Sequence, residues 1–583
     1  MPKVPMMTDI SSQINVTELI KNWERVKRDR SPWETKWNEI HSYVFPDHEC
    51  YSKPSGSRKE SDYSSPELKN YTSVVVGKVN KIVAQLYNLL IDPSTDWMSL
   101  QLNSLSVGPA VLRLPNWMTV NISKSKSAKE WCTLCKLELY KLFQDPSSNF
   151  YSSTYSMYFD WFSLGTGCRE ILLRGDNSKI QFNAVSMADI FVETSGYGDI
   201  KNIYRRYNLT PRQAHDIWGD NLHPGDLQKL TNEFAVTKEY IDICTPNPYL
   251  GMPGQIYPYL VITIDPGNRY LIGYGYHFKP PYAIARFFVK SGEVYGHSVL
   301  WDGIPDISTI NKLAKIYLKG EAYRESPALL VKDANSFMAK KIRPSAIVQG
   351  LDSQLRPQIV PLNMTANPRS SMELYSFKLN DIDETLLFKD IFPPQSPTMT
   401  ATEVNERVMQ MYNRVKPTLI GLQGEDLNNT VLRTLSLMDF LGILPPFPYD
   451  DVASEIGVDG IDTSTLMMLL PKPIMQLNIS FGGKIAKMQN LSDVRNDEIF
   501  LQKVVMAAQV DPSVLDRINL DQLLAAEAEA YDLDPKIIRS DKEVAAIREE
   551  RAKTMRQREQ LELQQTALKN QNQTLENQVL EGN

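Results

Sequence analysis

Near the middle of the chain, apolar positions return every three or four residues. Ile310, Leu313, Ala314 and Tyr317 share one face at about 100° per residue, and Lys312, Lys315 and Lys319 fall on the opposite one. Asp306, following Pro305, is placed to cap the free N–H groups of a helix beginning at Ile307. Ser326-Pro327 ends it, because proline cannot continue the hydrogen-bond ladder. Some twenty residues at about 1.5 Å each make a rod of roughly 30 Å. A second helical pattern runs over residues 371–392, with Tyr375, Leu379, Ile382 and Leu386 in phase, and stops at Phe392-Pro393-Pro394. Its acids Asp381, Asp383, Glu384 and Asp390 are expected to balance the lysines of the first rod. Between the rods, residues 328–368 hold short extended runs, PALLV and PQIVPL, and many prolines. The pattern is a long helical hairpin with a small domain at its tip.

The flanks divide into helical and β-rich stretches. Residues 16–45 read as amphipathic helix with Trp23, Trp33 and Trp37, broken at Ser31-Pro32. Lys21, Arg25, Lys27, Arg28 and Arg30 make a basic cluster there, either a solvated helix face or a contact for DNA or a partner. Helix is expected again over 67–91, 127–143 and 149–164. From Cys168 the texture changes to short strand-like runs, CREILLRG, KIQFNAVS, DIFVET and NIYRRYNL, with further runs at 238–244, 257–264 and 270–278. Thr210-Pro211-Arg212-Gln213 combines a capping threonine, a proline at the first helical position and a glutamine at the third. Residues 168–290 therefore read as a mixed β-rich unit.

Beyond the hairpin, the loop 393–400, PPQSPTMT, carries three prolines and no charge. Thr400 with Glu403 makes a capping box, and Val404, Val408, Met411 and Val415 continue a helix that kinks at Pro417 and ends near Gly442. A strand-like run at 474–488 precedes several helices over 492–552. In the tail, rich in Gln, Asn, Glu and Arg, Leu561, Leu568 and Leu575 make a weak heptad.

Composition narrows the function classes. At 583 residues the chain is too long for one core, and three or four domains is the expectation. The net charge of −6 advertises no global affinity for nucleic acid. Five cysteines are too few and too scattered for a disulfide framework. The first residues lack the apolar core of a signal peptide, and the longest apolar run, 74–91, is interrupted by Lys78, Lys81 and Gln85, so no membrane association is expected. There is no phosphate-binding loop, no H-E-x-x-H and no G-x-S-x-G. The six histidines have no metal-ligand spacing. Cys132-x-x-Cys135 lies inside a helical run without a second pair of ligands and reads as buried helix cysteines. No cofactor, metal site or catalytic constellation is expected, which favours an architectural role over an enzyme.

Residues 286–330, with Glu293-x-Tyr295-Gly296, Pro305-Asp306, Asn311 and Pro327, resemble the signature of portal proteins, or head-to-tail connectors, of short-tailed bacteriophages. Other stretches agree in the same order: 33–46, LLIDPSTDWMSL, Ser148-Asn149-Phe150, IYRRYNLTPRQ, TMTATEVNERV, LMDFLGILPPFP and IIRSDKEVAAIREERA. The resemblance spans roughly residues 20–555. It implies an α+β, mainly helical portal fold, assembled as a ring of typically twelve subunits at one capsid vertex, through which double-stranded DNA is packaged and ejected. It implies docking of the terminase large subunit and then tail adaptors, contact with major capsid and scaffold proteins, and a place in the virion after assembly in the host cytoplasm.

On the same resemblance, residues 1–305 are N-terminal helices and the β-rich wing. Residues 306–326 and 369–392 are the two stem helices, and 327–368 the clip between them. Residues 393–400 are the tunnel loop, 401–445 the long wing helix, 446–490 the connection with its strand, and 491–583 the helical crown and Gln-rich tail. The DNA-channel candidates are Lys312, Lys315, Lys319, Gln395, Ser396, Thr398 and Thr400. Twelve copies at −6 carry −72, so such a bore lets DNA slide, and the lysines are a local exception or partners for a neighbouring stem's acids. The rival readings are an adaptor or scaffold protein that merely uses long helices, and a nucleic-acid-processing enzyme.

Overall fold

The structure is a computed structural model. It describes residues 14–45, 51, 53–54, 71–103, 105–107, 118–120, 122, 125–173, 179–230, 236–249, 257–325, 329–331, 359–361, 368–386, 388–391, 410, 415–456, 463–470, 472–482 and 544–558, with isolated positions between 500 and 565. In chain order the helices are α1 (Val16–Asp29), α2 (Ser31–Val44), α3 (Val74–Leu90), α4 (Lys126–Gln144), α5 (Phe150–Leu164), α6 (Pro211–Trp218), α7 (Val299–Glu325), α8 (Pro368–Thr385), α9 (Asn428–Phe440), α10 (Tyr449–Ile456) and α11 (Thr463–Leu469). The strands are β1 (Met98–Leu102), β2 (Leu105–Val107), β3 (Met118–Val120), β4 (Thr166–Leu173), β5 (Ile180–Val185), β6 (Ile190–Thr194), β7 (Ile200–Leu209), β8 (Lys238–Pro246), β9 (Tyr259–Asp265), β10 (Tyr270–His277), β11 (Tyr282–Arg286), β12 (Leu329–Val331), β13 (Ile359–Pro361) and β14 (Leu477–Phe481). Contacts divide the chain into one unit of residues 1–99, 137–444 and 481–485, and another of 100–136, 445–480 and 486–583.

In the first unit, period-two alternation builds a sheet with two buried faces. β10, β9, β8, β7 and β6 lie side by side in that order, each antiparallel to its neighbour. Phe191, Ile241, Ile243, Leu260, Ile262 and Ile264 point to one face, where Trp23 and Val26 of α1 cover them. Their alternates Ile190, Val192, Cys244 and Val261 point to the other face, into a core with Trp37 of α2 and Cys168, Val185 and Ile284 of a second sheet, β11-β4-β5. α1 begins at Asn15, whose side-chain oxygen accepts from the Glu18 N–H, and α6 has the full Thr210–Gln213 capping box the sequence calls for. β11 is a strand the sequence pattern does not single out, because YAIAR is too short to show a period.

In the second unit, β2 pairs antiparallel with β3. The start of α4 is held by Glu455 of α10, which accepts from the Ser127 N–H and from the hydroxyls of Ser125 and Ser127. Trp131 meets Phe447 edge-on and donates its indole N–H to Pro445 O at 2.9 Å.

Two sequence expectations change here. The first helix of the hairpin, α7, starts at Val299, not Ile307. Ser298 is the residue that receives it: its Oγ accepts from the Leu300 N–H and its carbonyl from the Trp301 N–H. Pro305 stands inside the helix, held there by buried Leu300 and Ile307 on either side, and its carbonyl accepts from the hydroxyls of Ser308 and Thr309. A proline followed by aspartate imitates a helix start, and burial overrides it. The second rod runs from Pro368 to Thr385, with one more helical turn at Phe388–Ile391. Near the expected kink at Pro417, residues 411–414 lie outside the described set, and the irregularity that the structure shows is a π turn at Gln423–Leu427. The Thr400–Glu403 box, most of the tip and most of the region after 482 also lie outside it. No helix among the described residues is long and apolar enough to cross a membrane.

Candidate functional site

The α7–α8 hairpin is the candidate site. At its root, Leu300, Ile307, Ile310 and Asn311 of α7 are buried. Asn311 is placed by two backbone contacts: its Oδ1 accepts from the Tyr71 N–H at 3.3 Å and its Nδ2 donates to Tyr43 O at 3.5 Å. The two rods are pinned by Lys378 of α8, which donates to Asp306 of α7 at 3.0 Å and to Asp381 at 2.9 Å. Those carboxylates, Asp381 first, hold the Lys378 ammonium above its usual range. Asp383 of α8 pairs with Lys78 of α3. Asp306 therefore ties helix to helix rather than capping one.

The Glu293-x-Tyr295-Gly296 signature proves to be scaffold. Tyr295 is buried, meets Trp33 at a tilt and Trp37 edge to face, and accepts from the Val192 N–H at 3.1 Å. A Cβ on Gly296 would sit 2.1 Å from Gly165 O, and one on Gly165 2.3 Å from Gly296 O, so only glycine fits at either place. Glu293 pairs with His297 four residues on.

The lysine face is where the hairpin is chemically unfinished. Lys312, Lys315 and Lys319 are exposed, and among the described residues no carboxylate bridges to any of them. Lys315 lies over the Tyr71 ring at 5.1 Å. The expected balance with the second rod's acids is corrected for two of them: Asp381 is taken by Lys378 and Asp383 by Lys78, while the Asp390 side chain lies outside the described set. Toward the tip, Ile316, Tyr317 and Leu318 of α7 and Met372, Leu374 and Phe377 of α8 are exposed. β12 and β13 pair antiparallel beyond the rods, as the extended runs there suggest. Gln395, Ser396, Thr398 and Thr400 lie outside the described residues.

Other candidates fall away or change role. Arg30 of the N-terminal basic cluster is fully buried, 3.5 Å from the Phe191 ring centre, and donates to the carbonyls of Met187, Ala188 and Ile190. Arg25 pairs with Glu193 at 2.6 Å. That part of the cluster stitches α1 and α2 to the sheet. Cys132 and Cys135 are buried, and burial pushes the Cys132 thiol up to about 12, away from thiolate chemistry.

Sequence reasoning misses the buried pair Arg169–Asp426, at 2.8 Å with both side chains inaccessible. Beside it Arg286 donates to Glu425 through its backbone N–H, Nε and Nη2. Glu425 and Asp426 both sit in the π turn. Nothing in the local run Gly421–Thr430, which is polar around the two acids, marks them for burial.

A family model described as bacteriophage head to tail connecting protein matches residues 16–538. A probable portal protein of Bordetella phage BPP-1 is 22% identical over 575 residues, covering 95% of this chain and 93% of that protein. A portal protein of Salmonella phage epsilon15 is 22% identical over 560 residues, covering 92% of this chain and 91% of that protein.

Proposed function

Since this chain belongs to the family of bacteriophage head-to-tail connecting proteins, we infer that it is the portal subunit of a short-tailed phage. Copies of it, twelve in this reading, close into a ring at one capsid vertex, and double-stranded DNA enters and leaves through the central channel. The terminase large subunit docks during packaging and tail adaptors dock afterwards, while capsid and scaffold proteins surround the ring. Its role is structural, not enzymatic. It is a virion component, put together in the host cytoplasm.

In this reading α7 and α8 are the stem, residues 327–368 the clip and 393–400 the tunnel loop. The β-rich part with the N-terminal helices is the wing, and residues 491–583 the crown and tail. The observation that carries the channel assignment is the lysine face of α7, which no described carboxylate of its own chain satisfies although the neighbouring rod is rich in acids. Lys312, Lys315 and Lys319 meet passing phosphates there, and Gln395, Ser396, Thr398 and Thr400 line the constriction without charge. Few lysines in an acidic bore give weak phosphate contacts, which suits a duplex that must slide, because each phosphate neutralised adds affinity and salt dependence.

The test is Lys312→Gln/Lys315→Gln/Lys319→Gln, supplied to a phage lacking its own copy. Genome packaging or retention is expected to change while rings persist. Loss of rings in the triple variant, or normal packaging with it, overturns the channel assignment.

A further inference from the structure

Of the three lysines on the open face of α7, Lys315 is the one that the rest of the subunit holds. Its ammonium lies over the Tyr71 ring, 5.1 Å from the ring centre. Among the described residues no ring lies under Lys312 or Lys319. Tyr71 belongs to the short segment 71–73 that leads into α3, and that segment is tied to both rods. The Tyr71 N–H donates to Asn311 Oδ1 at 3.3 Å, and Asn311 stands one helical turn before Lys315 on the same side of α7. The next residue, Thr72, places its hydroxyl 3.4 Å from the Tyr375 hydroxyl of α8. Asn311 is buried, so the Tyr71 backbone is fixed where the buried root gives way to the lysine face.

The Tyr71 ring itself is 38% exposed, and among the described residues its hydroxyl has no hydrogen-bond partner. What it offers Lys315 is therefore its face. A lysine ammonium on a four-carbon stem samples many rotamers, and holding it in place beforehand removes part of the ordering cost of any contact it makes. The ammonium has three donors, and a ring face occupies one side of it, so the others stay available to a phosphate oxygen. A carboxylate partner would instead compete with the phosphate for the charge.

We propose that Tyr71 is a positioning residue for DNA contact: its ring holds the Lys315 ammonium ready, making Lys315 the pre-set phosphate contact of the three lysines. The proposal rests on the portal reading, in which this face lines the channel, and adds to it the residue that sets the strength of the grip. Lys312 and Lys319 add charge without being held. An exposed cation–ring contact changes such an equilibrium about two- to fivefold, a modest gain that suits a duplex which must be retained and still slide.

The experiment supplies full-length Tyr71→Leu, Tyr71→Phe, Lys315→Gln and Tyr71→Leu/Lys315→Gln to a phage lacking its own copy. It reads the fraction of filled heads whose DNA stays nuclease-resistant, at low and at high salt. At low salt Tyr71→Leu is expected to lower that fraction about two- to fivefold. Tyr71→Phe, which keeps the ring face, is expected to match the parent, and the double variant to match Lys315→Gln. The gap between the parent and Tyr71→Leu is expected to narrow at high salt, because phosphate contacts weaken there. A Tyr71→Leu protein that matches the parent beside a defective Lys315→Gln overturns the positioning role and leaves the channel reading standing. A Tyr71→Phe protein as defective as Tyr71→Leu, a double variant worse than Lys315→Gln, or loss of rings with Tyr71→Leu also overturns it, since each makes Tyr71 part of the scaffold. A Lys315→Gln protein that matches the parent overturns the proposal and counts against the channel assignment itself.

Discussion

Asp242 of β8 shows what one side chain contributes inside the β-rich part of the first unit. Its Oδ2 lies 3.2 Å from the hydroxyls of Tyr207 and Tyr282, and Tyr207 is also 2.9 Å from Glu170 Oε1. The Tyr207 hydroxyl has one proton and serves only one carboxylate at a time. Burial, with the Glu170 carboxylate nearby, pushes Asp242 up to about 6. Because its folded value is raised, the protonated native state is favoured. Stability from this group falls as pH rises from about 4, where the unfolded carboxyl ionises, to about 6, and the loss is complete above that. A rise of about two units corresponds to about 3 kcal/mol. Asp242→Asn, which imitates the protonated carboxyl, is expected to match the parent near pH 4 and to be more stable at pH 7–8. Thermal unfolding of both proteins across pH checks this, and a difference that does not vary with pH contradicts it. The alternation of β8 is plain in the sequence, but nothing in IDIC tells that Asp242 faces two tyrosines and a glutamate from three other strands.

At the scale of elements, the sequence is informative where signals are local and misleading where burial overrules them. The Thr210–Gln213 box, the break near Ser31-Pro32 and the strands after Cys168 are all legible, because caps, prolines and period-two runs act over a few residues. Pro305-Asp306 misleads for the same reason: it carries a local start signal inside a helix that tertiary packing extends back to Val299. The π turn at Gln423–Leu427 is invisible in sequence, since it is anchored by Arg169 and Arg286, which are remote in the chain. Removing one member of the buried pair leaves an uncompensated charge, so Asp426→Ala is expected to cost about 3–5 kcal/mol. The double variant Arg169→Met/Asp426→Leu, with no charge left behind, is expected to recover most of that. Denaturant unfolding of the parent, the single and the double variant decides it, and a double variant as unstable as the single one contradicts this account of the turn.

For the whole molecule, the hairpin organises the reading. Its two rods and the extended runs at the tip can be traced in the pattern of residues 306–392 and are present as α7, α8, β12 and β13, but the length of the first rod cannot, because α7 begins at Val299. The clamps are not traceable there, because Lys378 and Lys78 look like any helix-surface lysine until Asp306 and Asp383 are found beside them. With those acids used within the subunit, the lysine face of α7 is left open to solvent, as the proposed channel lining requires. The most direct test of such a channel is native mass spectrometry of the purified full-length protein, with negative-stain images of the same sample. The account predicts a closed oligomer, twelve copies in this reading, with a central hole. A monodisperse monomer at high protein concentration would contradict it.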